Sequence, residues 1–346
     1  MSADDPLRTA VQRYCASIAR DRLLVQAAGG NISWKSGDTL WIKASGTWLA
    51  DAEQKDIFVP VDRKPIDAAL ASGDYNISPK VEEGYSLRPS IETLLHALMP
   101  HTFVVHLHPV DAFVHLICPN SKTNIQNLIG DALQWDFVDY HKPGSALAQA
   151  VHATTRAKPD LQVVFLKNHG VILGANSLDE IHENLKLISE RLHSLPRDIP
   201  RNEWQLPSLN AINLEGTGYQ FCKESEFLCL GRDVELYGRL QTSWAICPDH
   251  VVFLGAEAIC LDAVLCGDIR QKLVDSAPPF IFIKDCGVIE KKTVTAAEKA
   301  QLVFFMDVMT RLPPEANLEL LKPEQIANLL NWDAEKYRRS INQTTA

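Results

Sequence analysis

At 346 residues the chain is longer than one typical domain and suggests two, with ample material for a buried core. Its composition, 46% hydrophobic and 22% charged without a low-complexity tract, excludes long disorder. A formal net charge of −9 and a pI near 5.7 argue against a broad electrostatic footprint for nucleic acid and point to small-molecule partners.

The acidic start, Met1 to Asp5, leads into a polar helix and reads as no secretory signal, and no run of roughly 18 apolar residues is available to span a bilayer. The expectation is a cytoplasmic protein with no membrane partner. Eight cysteines stand singly in apolar surroundings with no Cys-x-x-Cys, which fits reduced, structural thiols.

Asp5 or a neighbour is placed to cap a first helix through Val11, Tyr14, Cys15, Ile18 and Ala19. After Gly29-Gly30-Asn31 a hairpin is predicted, with Ile32–Trp34 and Leu40–Lys43 as strands and Ser36-Gly37-Asp38 as the turn. It ends in Ala44-Ser45-Gly46-Thr47. Two such glycine-plus-polar segments at neighbouring strand ends can pool donors around an anion, although a turn into a strand accounts for each alone. Ile57–Pro60 reads as a further strand and Asp74–Leu87 as a loop.

Pro89 and Ser90 supply helix-start chemistry for a helix running to Leu98, with Glu92 in its first turn. Thr102–Pro109 follows as an apolar strand carrying His106 and His108. Side chains at i and i+2 share a face of a strand, so these two imidazoles point the same way and can hold a divalent ion, given a third ligand. For either histidine alone a buried core residue is the plainer reading. A helix over Asp111–Cys118, loop chemistry to Gly130, a strand in Gln134–Tyr140 and a helix over Ala146–Thr154 come next. A second apolar strand, Leu161–Leu166, breaks at Lys167-Asn168-His169-Gly170, and His169 is the candidate third ligand. Asp179–Leu195 reads as an amphipathic helix.

Gly-Gly-Asn-Ile-Ser at 29–33, Ser90-x-Glu92-x-x-x-His96 with His106-x-His108, and Asn168-His169-Gly170 together resemble the class II aldolase/adducin family over roughly residues 6–196. The resemblance implies an α/β fold of three layers, α/β/α, around a central, mainly antiparallel sheet. It implies zinc held by His106, His108 and His169, with another divalent transition metal acceptable to the same imidazoles. Glu92 becomes the acid/base residue, and Asn31, Ser45, Gly46 and Ser90 become phosphate-binding positions. The implied activity is a lyase of carbohydrate metabolism that cleaves a ketose phosphate or related sugar-acid derivative by retro-aldol reaction through a metal-stabilised enediolate. Family members are commonly homotetramers, so a homo-oligomer is expected.

The chain departs from the family's pattern in two places. Ile91 stands where sugar-phosphate aldolases often carry a second serine, and their second acid, a tyrosine, has no clear counterpart. A 3-oxo sugar-acid decarboxylase or a pentulose-phosphate 4-epimerase on the same site stays open, although the epimerases typically place Asp where this chain has Glu92. Adducin-like scaffolds of the family lack the histidines.

The proline-rich stretch from Leu195 to Pro207 marks a boundary, giving a catalytic domain over 1–196 and a second domain over 208–346. Ile281–Ile289 repeats Val164–Ile172 at an offset of 117 residues, with Cys286 in place of His169. The second domain therefore reads as a degenerate partial repeat without metal ligands. Pro248–Leu254 is expected to open a strand and Pro323–Ile341 to form a docking helix.

Overall fold

The computed structural model describes residues 5–199, 214–262, 278–334, 336–337 and 341. Two compact units emerge, Met1–His193 with Asn331–Ala346, and Ser194–Leu330. Residues 331–346, expected to belong with the second domain, group with the first unit, where Trp332 and Tyr337 stack on Lys142 and Arg88.

In the first unit, α1 (Pro6–Ile18) starts where Asp5 accepts a hydrogen bond from the Leu7 N–H at 3.0 Å and proline takes the first helical turn. The seven strands are β1 (Asn31–Ser36), β2 (Thr39–Lys43), β3 (Phe58–Asp62), β4 (Phe103–Leu107), β5 (Trp135–Val138), β6 (Val163–Leu166) and β7 (Gly170–Ala175). They order as β3-β2-β1-β4-β7-β6-β5, antiparallel except for β5 beside β6. Trp34 pairs with Trp41 across the first hairpin and their rings stack 5.6 Å apart, a cross-strand contact that holds the register.

Strand alternation sorts the core into two layers. Phe103, Val105, Leu107, Phe165 and Leu173 face α1, α4 (Val110–Leu116), α5 (Ser121–Ile129) and α7 (Leu178–Arg191). Val104, Val164, Leu166 and Ile172 face α2 (Arg63–Ser72), α3 (Thr93–Leu98) and α6 (Ser145–Ala157). This is the expected three-layer α/β/α arrangement with a mainly antiparallel sheet. It differs from expectation at α5, where the sequence predicts a loop. That helix buries only Ser121, Ile125 and Ile129, too sparse an apolar signal for its polar sequence.

The second unit has a four-stranded sheet in the order β8-β11-β10-β9, built from β8 (Tyr219–Phe221), β9 (Ile259–Leu261), β10 (Phe280–Ile283) and β11 (Gly287–Lys291). The order and directions match β4-β7-β6-β5, including one parallel pair at the end. The repeat extends to single hydrogen bonds. The N–H groups of Lys167, Asn168 and His169 donate to Val138, Leu116 and Leu166, and those of Lys284, Asp285 and Cys286 donate to Leu261, Gly231 and Ile283. Asn168 and Asp285 both take positive φ, 53° and 59°. By register, Phe221 stands opposite Ile289 as His106 stands opposite Ile172, so the repeat carries Phe and Cys where the first unit carries histidines.

The helices here are α8 (Leu228–Arg232), α9 (Val234–Thr242), α10 (Pro248–Leu254), α11 (Ala296–Met309) and α12 (Pro323–Leu330). Pro248–Leu254, expected as a strand, is helical because Cys247 caps it and proline occupies its first position. The expected docking helix breaks after Leu330, and Asp333, Ala334, Lys336, Tyr337 and Ile341 are helical again beyond the break. Among the described residues no helix is long and apolar enough to cross a membrane.

His250 on α10 is fully buried, its ring 4.3 Å from Trp244 and 5.1 Å from Phe305. Burial pushes its pKa from 6.5 down to about 3, opposed by the Trp244 backbone. The unfolded chain thus takes up the proton near 6.5 and the folded ring only near 3, so stability is intact above that window and lost as pH falls through it. Between pH 7 and 4.5 the wild type is expected to lose roughly 2–3 kcal/mol more than His250→Phe. Urea titrations at the two pH values check this, and parallel losses in the two proteins would refute it.

Candidate metal and acid–base site

The site grows from β4 and its neighbours. Asn31 lies opposite His106 on β1, and Ile172 lies opposite it on β7. His106 is the next-to-last residue of β4, on the face toward the α3 layer, and His108 is the first residue beyond the strand. The turn between β6 and β7, with Asn168 at positive φ, brings His169 back to the same point. Ring centroids of the three imidazoles are 4.9–5.4 Å apart, and all three residues are buried.

The Val171 carbonyl, 3.1 Å from His106 Nδ1, can only accept, so that nitrogen carries the proton and Nε2 keeps its lone pair. His106 Nε2 and His108 Nε2 face each other at 3.1 Å. Two nitrogens bound tetrahedrally to zinc at their usual distance stand about 3.3 Å apart, so this spacing fits a shared ion. The ligand atoms of His106, His108 and His169 all lie within 4.8 Å of one another.

Glu92 completes the cluster. Its Oε1 is 3.2 Å from His169 Nε2 and 3.5 Å from His106 Nε2. Burial alone raises a carboxyl pKa, but the imidazoles of His106 and His169 outweigh it and hold Glu92 well below the ordinary carboxylate range. The three imidazoles form a donor set suited to a divalent cation, with the Glu92 carboxylate beside two of them. Glu92 sits at the N-cap of α3 rather than in its first turn, because Thr93 and Glu92 are drawn into a turn by the Ser90 carbonyl and hydroxyl. Freed from capping, its side chain points to the histidines.

The carboxylate is held from below. Asn31 Nδ2 donates to Glu92 Oε2 at 2.7 Å, and one helical turn later His96 Nδ1 meets Ser33 Oγ at 2.8 Å. Four helical residues rise about 6 Å and two strand residues about 6.7 Å, so a 92/96 pair on α3 matches a 31/33 pair on β1. Burial pushes the His96 pKa down to about 3, which keeps this strut neutral.

Of the remaining expected positions, Ser90 lies two residues before Glu92, and Ser45 and Gly46 lie on the 44–47 loop. Ser45 donates its N–H to the Arg88 carbonyl at 2.9 Å, and Ala44 bridges Pro89, which ties the 44–47 loop to the Ser90 turn. Asn31, expected as a phosphate ligand, spends an amide N–H on Glu92. Sequence reasoning passed over Lys43. It is 1% exposed, and its Nζ donates to the Ala28 and Thr47 carbonyls at 3.0 and 2.5 Å, pinning both glycine-containing loops. A lysine at a strand end reads as a solvated residue, so no local signal gives it away.

One further group among the described residues has metal-ligand chemistry, namely Cys222, Glu224 and Glu290. Lys299 Nζ lies 2.6 Å from Glu224 and 2.9 Å from Glu290, so both carboxylates already share a fixed cation that offsets one of their two charges.

A sequence profile of the Class II Aldolase and Adducin N-terminal domain matches residues 9–193, just over half of the chain. The chain belongs to this family. It is 27% identical over 194 residues to the uncharacterized oxidoreductase YuxG of Bacillus subtilis, an alignment spanning 50% of this chain but only 27% of that protein. It is 26% identical over 173 residues to an L-fuculose phosphate aldolase of Methanocaldococcus jannaschii, covering 49% of this chain and 86% of that one. Among solved structures, the N-terminal class II aldolase domain of a conserved Thermoplasma acidophilum protein aligns with a TM-score of 0.46 and 23% identity, over 56% of this chain and 94% of that one.

Proposed function

We propose that this chain is a zinc-dependent lyase that breaks a carbon–carbon bond of a small hydroxy-ketone of the sugar type, a ketose phosphate or a related sugar acid, by retro-aldol cleavage. The observation that carries the reading is the fixed carboxylate of Glu92, 3.2 Å from His169 Nε2 and oriented by Asn31. A divalent ion held by His106, His108 and His169 supplies the positive charge that stabilises electrons released onto a carbonyl oxygen as the bond breaks.

The chain's own residues do the rest. Oε2 of Glu92 is committed to Asn31, so Oε1 is the atom that takes or returns the proton. The surrounding apolar core excludes bulk water and strengthens every charge interaction at the site. Family membership and the Methanocaldococcus jannaschii relative both support a sugar-type substrate.

Metal analysis of wild type beside His169→Ala, followed by a retro-aldol assay on ketose 1-phosphates and their unphosphorylated forms, tests the reading. Near-stoichiometric zinc is expected in the wild type and is expected to be lost with His169. Protein that purifies without a transition metal, and gains none on addition, would sink the proposal. Bound zinc with no cleavage across the panel would redirect it to decarboxylation of a 3-oxo sugar acid.

A further inference from the structure

Three residues of the C-terminal segment, Trp332, Tyr337 and Ile341, pack on loops of the first unit, two of them on the Gly46 and Arg88 stretches next to the Ser90 turn. Ile341 sits on Gly46 so closely that a Cβ at Gly46 would lie 3.0 Å from the Cβ of Ile341. Tyr337 stacks under the Arg88 guanidinium, with 4.3 Å from its carbon to the ring centroid. Trp332 covers Gly144, where an added Cβ would lie 3.3 Å from the ring, and carries the Lys142 ammonium 4.5 Å above its face. Gly46 and Gly144 both adopt positive φ, 81° and 96°, so each supplies a conformation and a bare surface that other residues would not.

These contacts bear on what the 44–47 and 88–90 loops can offer a substrate. Ser45 N–H is bonded to the Arg88 carbonyl, Asn31 to the Glu92 carboxylate, and Ser90 Oγ accepts from the Glu92 N–H. The next side chain along is Ile91, which brings no donor. The cation of this stretch, Arg88, is stacked on an aromatic face, and an apolar isoleucine lies on the glycine. A dianion entering here would meet hydrocarbon and would have to displace both contacts.

We propose that the C-terminal segment is a specificity element, with Ile341 and Tyr337 closing the Gly46–Ser90 side of the site against a terminal phosphate, so that the chain acts on an unphosphorylated hydroxy-ketone or sugar acid. The substrate half of this statement rests on the lyase reading above. The closure itself does not.

The test uses the full-length chain, with inorganic phosphate as the probe in calorimetric titrations of wild type, Ile341→Ser and Ile341→Ser/Tyr337→Ser. No saturable phosphate binding is expected in the wild type, and the double variant is expected to bind at least about tenfold more tightly, equivalent to 1.4 kcal/mol. Thermal melts report whether each variant folds, and Trp332→Ser opens the segment from its other end should the double variant not fold. Phosphate binding equally to wild type and opened variants, or to neither, overturns the closure.

Kinetics then separates the two ideas. The wild type is expected to prefer an unphosphorylated ketose over its 1-phosphate, and the opened variant to lose that preference through a lower KM for the phosphate ester. Wild type that favours the phosphate ester refutes the specificity claim. Absence of turnover on every ketose counts against the lyase reading alone, and the phosphate titration still decides the closure.

Discussion

Glu92→Gln is expected to lower kcat by about 10²–10⁴-fold while KM and metal stoichiometry stay close to wild type, as loss of a proton-transferring group does. The substitution is nearly isosteric. Asn31 Nδ2 donates to Oε2 at 2.7 Å, so the amide oxygen of Gln takes that place and the amide nitrogen turns to the imidazoles. The position formerly held by Oε1, 3.2 Å from His169 Nε2, is then filled by a group that donates and cannot accept a proton. The strut between His96 and Ser33 is untouched, so α3 keeps its place on β1. Steady-state kinetics on whichever substrate the panel identifies, with metal analysis of the same preparation, checks the prediction. Full activity would remove Glu92 from the mechanism. Loss of the metal together with activity would make Glu92 a ligand instead.

Much of this site is legible in the sequence, for simple geometric reasons. His106 and His108 are two apart on a β-forming run, and a strand has period two, so a shared face follows from spacing alone. His169 stands between Asn and Gly at a break in an apolar strand, and such breaks place side chains at strand ends, where sites are built. What the spacing leaves open is distance across the fold. Nothing local says that Asn31 reaches Glu92, sixty-one residues away, rather than an outside anion. Lys43 is similar, because its burial depends on two carbonyls delivered by separate loops.

The misread elements have local causes. Pro248-Asp249-His250-Val251-Val252 is apolar and β-branched enough to suggest a strand, yet Cys247 and Pro248 are a helix start, and the start decided the outcome. For α5 the reverse holds, since two isoleucines four apart are the only core contacts of a polar helix apart from Ser121 at its start. The repeat in the second unit was visible at nine residues of sequence. Its extent, down to matching N–H donors at 167–169 and 284–286, follows from strand pairing that brings in β8 and β9, whose sequences do not resemble β4 and β5.

Gly170→Ala is expected to be the most damaging single methyl that the first unit can receive. Gly170 opens β7 in ordinary backbone conformation, so no torsional strain is involved and the effect is steric. A Cβ there collides with the Leu107 carbonyl, stands 2.6 Å from His108 Cδ2 and 3.2 Å from His106 Cε1. The first obstacle is backbone of the paired strand, which cannot rotate away, and the other two are the metal-ligand rings. Relief therefore requires β4 and β7 to separate at their end or both imidazoles to turn. Overpacking of this kind costs about 3 kcal/mol or more, and for a unit of this size each kcal/mol lowers Tm by about 2–4 °C. A fall in Tm of about 6–12 °C, accompanied by loss of bound zinc, is the expected result. Gly238→Ala serves as the control, since Gly238 lies within α9 with no atom within 4 Å of an added Cβ, and alanine there is expected to be neutral or mildly stabilising. Wild-type Tm and full metal content in Gly170→Ala would mean that the β4–β7 junction yields without disturbing the histidines, and the geometry assigned to the metal site would then be wrong.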